Sequence, residues 1–363
     1  MPAALSARSS PGALGARATC RAAGAACATA SSPAPPRPAV AATAPRHAVA
    51  TKRSRDAVTR AAPAPAAGSV VDPATTTLAV LGTGIMGTAM ATRLLAAGYA
   101  VHVWNRTPAA VDPLVALGAV RARSPAAAAA AADVTFAMLA DPQAATDVAL
   151  AAATGLAPGK GYVDASTVDA GTAAAVAALV AAAGASYMEA PVSGSKGPAE
   201  KGELVFLCGG DGKLFDRVAP ALDIMGKARM LLGPAGAGAN AKLVINTLLG
   251  TLAASLAEAM AVGEAAGLAP ADLLRIVSLS AVACPMFALK GPIMASRSSY
   301  PPAFPLKHQQ KDLRLALALA DASGVSAPLA AAANARFIEA RAAGHGDDDF
   351  SAVREAAGGR KQR

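Results

Sequence analysis

Aromatic side chains are scarce: seven Phe, four Tyr and one Trp make up 3% of 363 residues, although 54% of the chain is hydrophobic. Alanine makes the difference, so the apparent apolarity reflects helix propensity more than burial. Cysteine is scarce as well. Cys20 and Cys27 lie near the N-terminus, and Cys208 and Cys284 are far apart with no CxxC or Cys/His partner, which excludes a disulfide framework or a zinc site. Acids are nearly missing from residues 1–71, which hold nine Lys/Arg and only Asp56. That segment therefore carries +8 of the net +9, leaving 24 basic against 23 acidic side chains elsewhere. A basic face for nucleic acid is thereby excluded from the body. Leu/Ile/Phe-rich runs are absent too. One charge-free stretch, residues 170–188, has the length to cross a bilayer. It is interrupted by Gly171, Thr172 and Gly184 and consists largely of Ala, so no membrane span is expected.

What the first 71 residues do contain is Ala, Ser, Thr, Pro and Arg. Such a stretch cannot bury enough apolar surface to offset its ordering entropy, and it is expected to be disordered. An Arg-rich, Ser-rich, acid-poor start reads as an organelle transit peptide, with the plastid stroma as first choice and the mitochondrion as second. The alternative is a merely solvated tail.

The body opens with βαβ order. Leu78-Ala79-Val80-Leu81 is a short apolar run, Gly82-Thr83-Gly84-Ile85-Met86-Gly87 follows it, and helical spacing runs over residues 88–97. A second strand is expected at residues 100–104 and a second helix at residues 108–117. Apolar runs at residues 134–139, 162–165, 187–190 and 204–208 alternate with Ala-rich helical segments. These features predict an α/β Rossmann-type, doubly wound parallel sheet over residues 76–235. Beyond Gly236 the pattern is helical only: one long helix at residues 239–266, then stretches at 270–279, 306–322 and 328–342. An all-α C-terminal domain joined by that long helix is expected over residues 236–356, with a tail at 357–363.

Strand, Gly82-x-Gly84-x-x-Gly87 and helix together are what a dinucleotide pyrophosphate needs. The first Gly permits the turn, the second lets backbone approach phosphate, and the third lets helix pack on strand. At the end of the second strand, where an acid would hold the ribose 2′-OH of NAD, the sequence reads Trp104-Asn105-Arg106-Thr107. The Arg106 guanidinium suits a 2′-phosphate, with Asn105 and Thr107 as neutral donors and acceptors, which argues for NADPH.

Lys242 and Asn246 are four apart on the long helix and project from the same face. An ammonium beside an amide can protonate a carbonyl oxygen as hydride arrives at carbon. Alone, though, a helical Lys is more often solvated with its stem on apolar neighbours. Ser193-Gly194-Ser195 follows a strand and offers N–H and hydroxyl groups for a carboxylate, or forms a plain turn. Thr167, after Asp164-Ala165-Ser166, stands at a strand end where it either meets a nicotinamide or caps the helix starting near Asp169. His308, in Phe304-Pro305-Leu306-Lys307-His308-Gln309-Gln310-Lys311-Asp312, is either a proton donor or a structural or solvated side chain at a helix start.

In this order, these stretches resemble the β-hydroxyacid dehydrogenase family, and within it the plant-type glyoxylate/succinic semialdehyde reductases. The similarity covers roughly residues 77–356 and rests on Gly84-Ile85-Met86-Gly87, Val103-Trp104-Asn105-Arg106-Thr107, Asp164-Ala165-Ser166-Thr167, Pro191-Val192-Ser193-Gly194-Ser195-Lys196 and the block at 299–312. The resemblance implies NADPH-dependent reduction of glyoxylate to glycolate and of succinic semialdehyde to 4-hydroxybutyrate, by a homodimer or homotetramer. It implies Lys242 as general acid, Asn246 as substrate orienter, Ser193 with Gly194 and Ser195 as carboxylate holders, Phe304 as pocket wall and Asp312 as an acidic site residue. Met138, Leu139, Thr167 and Lys311 join Gly82, Thr83, Gly84, Ile85, Met86, Gly87, Asn105, Arg106 and Thr107 in the implied NADP(H) site. A scaffold that merely binds NADP would need neither Lys242, Asn246, Ser193 nor Asp312. An NAD-linked semialdehyde enzyme would carry an acid where Asn105-Arg106 stand.

Overall fold

The structure, a computed structural model, describes residues 70–358. The expected transit peptide at residues 1–71 lies almost wholly outside the described residues, as does most of the 357–363 tail. Its last residue, Val71, is nevertheless packed: its N–H donates to Arg217 O, its carbonyl accepts from Tyr99 Oη, and it is 3% exposed. Val71 is thus part of the core of the body.

Strands β1 (Thr77–Leu81), β2 (Ala100–Trp104), β3 (Val120–Arg121), β4 (Val134–Ala137), β5 (Gly161–Asp164) and β6 (Ser186–Glu189) pair in parallel in the order 3-2-1-4-5-6. This is the expected doubly wound Rossmann-type sheet. Strand order reverses between β1 and β4, which opens a crevice above their carboxyl ends. Three more strands extend it: β7 (Val192–Ser193), β8 (Leu204–Gly210) and β9 (Gly226–Leu231). β8 runs antiparallel to β6 and β7, and parallel to β9.

Both faces of the sheet are covered. Along β1, Leu78 and Val80 point into one core with Met90 and Leu94 of helix α1 (Ile85–Ala96), while Ala79 and Leu81 point into the other. This alternation with both faces apolar is what makes parallel strands read as continuous hydrophobic runs. The second face is built on alanine, from Ala128 and Ala129 of α3 (Pro125–Ala131) and Ala149 and Ala152 of α4 (Pro142–Ala153). Small side chains let α3 approach closely: a Cβ on Gly155 would lie 2.0 Å from Ala126 O.

The expected helix at residues 108–117 splits into a 3-10 turn, Pro108–Val111, and a short α2 (Asp112–Ala116), because Pro113 near its start supplies no N–H to continue the earlier turn. Asp169, not Thr167, caps α5 (Ala170–Ala182) by accepting from Thr172 N. The charge-free stretch at 170–188 is thus α5, a turn at Gly184 and strand β6.

Two more helices, α6 (Lys196–Lys201) and α7 (Gly212–Met225), complete the sheet layers before α8 (Ala237–Ala265) begins. Then follow α9 (Pro270–Leu279), α10 (Pro285–Ser296), α11 (Leu306–Ala322) and α12 (Pro328–Ala340), with a 3-10 segment at Phe350–Ala356. They share a core containing Leu256, Met260, Met294, Leu313, Phe337 and Val353. By length and composition α8 could cross a bilayer, but it buries Leu243, Gly250, Ala253 and Ala257 against its neighbours like the core helix of a globular layer. Helix α10 has no counterpart among the expected elements, since Gly291 and Pro292 interrupt its pattern. At Gly291 a Cβ would meet the Leu274 side chain of α9 at 2.4 Å, so the two helices pack closely here.

Candidate active site

A cavity of about 660 Å³ lies over the strand-order reversal. Its floor is the glycine loop. Gly82 has φ +91°, and a Cβ there would sit 2.3 Å from Met138 O; one on Gly87 would sit 1.9 Å from Gly82 O. These two glycines let β1, β4 and α1 touch. Gly84 differs: nothing lies within 4 Å of its would-be Cβ, and it starts α1 without a side-chain cap. The space above Gly84 is thus open, with uncapped helix N–H groups beneath it, which fits a pyrophosphate.

Ile85, Met86, Asn105, Arg106, Thr107, Met138, Leu139 and Thr167 also line this cavity. Asn105 works as a strut: its Oδ1 accepts from Thr83 N and its Nδ2 donates to Thr107 O, both at 3.1 Å. Thr83 itself is buried and lies outside the cavity lining, its hydroxyl donating to Ala110 O. Arg106 is exposed at the rim, where its fork is free to meet a phosphate. Asp164 ties two strand ends together. Its Oδ1 accepts from Ser166 N, and Ser166 Oγ accepts from Leu139 N, which fixes the turn carrying Thr167.

The opposite wall comes from the helical part. Lys242 lines the cavity yet is only 7% exposed. Burial lowers its amine from 10.5 to about 8, against the nearby Asp312 carboxylate, which acts to raise it. Lys242 Nζ donates to Asn246 Oδ1 at 2.8 Å, and Asn246 Nδ2 donates to Asp312 Oδ2 at 2.6 Å. Asn246 does not line the cavity, so its amide positions Lys242 from behind. Asp312 reaches it within one chain. Lys311 forms an ion pair with Asp312 at 3.0 Å and donates to Thr167 O, linking α11 to the end of β5.

Gly194, Ser195 and Phe304 line the cavity beside Lys242, whereas Ser193 is half-buried in β7, paired with Val205. His308 lines it too, but burial first and Lys311 second hold its imidazole below the usual value. It is a poorer proton donor near neutral pH than Lys242.

Sequence reasoning passed over several lining residues. Asp141 caps α4 and lines the cavity with Asp147 and Val148; the Asp141-Pro142 start directly after a strand was the available signal. Glu189 also escaped notice. Its Oε1 accepts from Gly236, Gly238 and Ala239 N, so the end of β6 caps the first turn of α8, one turn before Lys242. With its partners 47 to 50 residues away, that pairing leaves no local pattern.

Two family models match nearly the whole body. Residues 77–233 match the NAD binding domain of 6-phosphogluconate dehydrogenase, and residues 236–357 match the NAD-binding region of NADP-dependent 3-hydroxyisobutyrate dehydrogenase. The chain is 50% identical over 292 residues to a chloroplastic glyoxylate/succinic semialdehyde reductase 2 of Arabidopsis thaliana, covering 80% of this chain and 81% of that one. It is 48% identical over 279 residues to glyoxylate/succinic semialdehyde reductase 1 of the same plant, covering 76% and 96%. A solved 3-hydroxyisobutyrate dehydrogenase of Mycobacterium tuberculosis with L-serine is 32% identical with a TM-score of 0.70, covering 77% of this chain and 98% of that one. The chain belongs to the β-hydroxyacid dehydrogenase family of NAD(P)-dependent oxidoreductases.

Proposed function

We propose that the chain is an NADPH-dependent reductase of small aldehyde acids, converting glyoxylate to glycolate and succinic semialdehyde to 4-hydroxybutyrate. The observation that carries this reading is the buried Lys242 amine, lowered to about 8 and facing the same cavity as the Gly84 loop. Two relatives that are named for both aldehydes support it.

Bound NADPH supplies the hydride. Lys242, held by Asn246 and Asp312, gives its proton to the carbonyl oxygen as negative charge develops there. N–H and hydroxyl groups of Gly194 and Ser195 take the substrate carboxylate, and Phe304 supplies an apolar wall. Arg106 would hold the 2′-phosphate of the cofactor, and Thr167, Met138 and Leu139 would line the rest of its site. Residues 76–235 are the NADP-binding domain in this reading and 236–356 the helical domain.

A homodimer or homotetramer accords with the apolar row Val244, Leu248 and Leu252, which α8 leaves exposed. A plastid address accords with the acid-poor leader and with the chloroplastic relative.

Steady-state assays of the purified chain with both aldehydes and both nicotinamide cofactors test the activity. Turnover with NADPH on either aldehyde is expected, and no turnover on both would overturn it. A reporter carrying residues 1–71 is expected in plastids, and a diffuse cytosolic signal counts against that address.

A further inference from the structure

Behind the Phe304 wall stands a buried ion pair whose two residues do not themselves line the cavity. Lys290 of α10 and Asp349 are 4% and 0% exposed, with Nζ 2.8 Å from both carboxylate oxygens. Oδ2 also accepts from Ala303 N and Phe304 N; Oδ1 also accepts from Ser351 N and Oγ. The chain around Asp349 is laced to the same wall by backbone bonds: Asp349 N to Tyr300 O, Phe350 N to Phe304 O, and Leu306 N to Asp348 O. The Phe350 ring lies 5.9 Å from that of Phe304 and beneath the Lys290 amine, 5.0 Å away. Lys307 and Asp347 also join the two segments, but both are exposed, so water screens that pair and it holds little.

We infer that Asp349, clamped by Lys290, is a positioning residue that fixes the Ala303-Phe304 wall and thereby sets the length of aldehyde acid the pocket prefers. The inference rests on the reductase reading. Its chemical basis is that each carboxylate oxygen meets at least one donor unable to accept: the Lys290 ammonium and the Ala303 and Phe304 N–H groups at one, the Lys290 ammonium and the Ser351 N–H at the other. An amide at this position has to turn an NH2 toward one of these sets, whichever way it faces. Asp349→Asn therefore breaks the clamp on one side or the other, and either loss frees the Ala303-Phe304 wall to shift instead of only removing charge. A pocket of relaxed depth loses its grip on a two-carbon acid before it loses its grip on a four-carbon one.

The test compares kcat/KM for glyoxylate and succinic semialdehyde in the full chain, in Asp349→Asn and in the milder Ser351→Ala, with NADPH Kd measured alongside. The ratio is expected to shift about 5-fold or more toward succinic semialdehyde in Asp349→Asn, and in the same direction in Ser351→Ala, mainly through KM for glyoxylate. NADPH Kd is expected to stay within about 2-fold. Phe337→Leu, in the same helical core but with no hydrogen-bonding atom to hold Ala303, Phe304 or Asp349, controls for destabilisation and is expected to lower Tm without moving the ratio. An unchanged ratio in both wall variants, or an equal shift in Phe337→Leu, overturns the inference. If Asp349→Asn does not fold, Ser351→Ala decides. If the unmodified chain reduces neither aldehyde, it is the reductase reading that fails.

Discussion

Asn246 Oδ1 accepts from Lys242 Nζ at 2.8 Å, and its Nδ2 donates to Asp312 Oδ2 at 2.6 Å, so one amide links the buried amine to a buried carboxylate. Because Asp312 can only accept, it fixes which end of the Asn246 amide faces Lys242. The proton donor is thereby aimed from behind, leaving its remaining N–H bonds to face the cavity.

The alkaline limb of the pH profile follows from this arrangement. Burial lowers Lys242 to about 8, and the ammonium is the active form, so kcat should fall as pH rises through about 8. Asp312→Asn keeps an acceptor for Asn246 and removes the charge that opposes the burial effect. The limb should then move to lower pH by about one unit, read from a pH profile of kcat. A limb that stays in place would separate Asp312 from the proton donor.

Cofactor choice rests on Arg106. Arg106→Asp removes the fork and places a carboxylate where a ribose hydroxyl would be held. Preference for NADPH over NADH should drop by about 10-fold to 100-fold, the range expected for one charge-assisted contact. The kcat/KM ratio for the two cofactors measures it, and an unchanged ratio removes Arg106 from 2′-phosphate recognition.

The glycine loop gives opposite expectations at two positions. A methyl on Gly84 points into open space and its φ of −73° suits any residue, so Gly84→Ala should keep its Tm within about 2 °C while weakening NADPH binding. A methyl on Gly87 collides with Gly82 O, so Gly87→Ala should cost on the order of 2 kcal/mol of stability or more. Thermal melts with and without NADPH separate the two.

Much of the site could be read in the sequence, because its parts are local. Gly82, Gly84 and Gly87 announce themselves by spacing, whereas Lys242 and Asn246 share a helix face but gained their roles only from the family resemblance. What stayed hidden depends on distant partners. Glu189 caps α8 across 47 to 50 residues, and Asp349 holds a wall 45 residues before it. The edge strand β9 has Lys227 and Arg229 where a buried strand would alternate apolar residues, and its pairing with β8 comes from position, not pattern. Neither Ser193 nor Asn246 is among the residues lining the cavity, and the Asn246 amide is engaged by Lys242 and Asp312.

The most direct test is Lys242→Ala, assayed for turnover of both aldehydes and for NADPH binding in the same preparation. A fall in kcat of about 10³-fold or more with NADPH Kd unchanged is predicted for loss of a general acid made available only by the protein. A variant that binds NADPH normally and keeps kcat within about 10-fold of the unmodified chain would contradict a proton-donating role for Lys242.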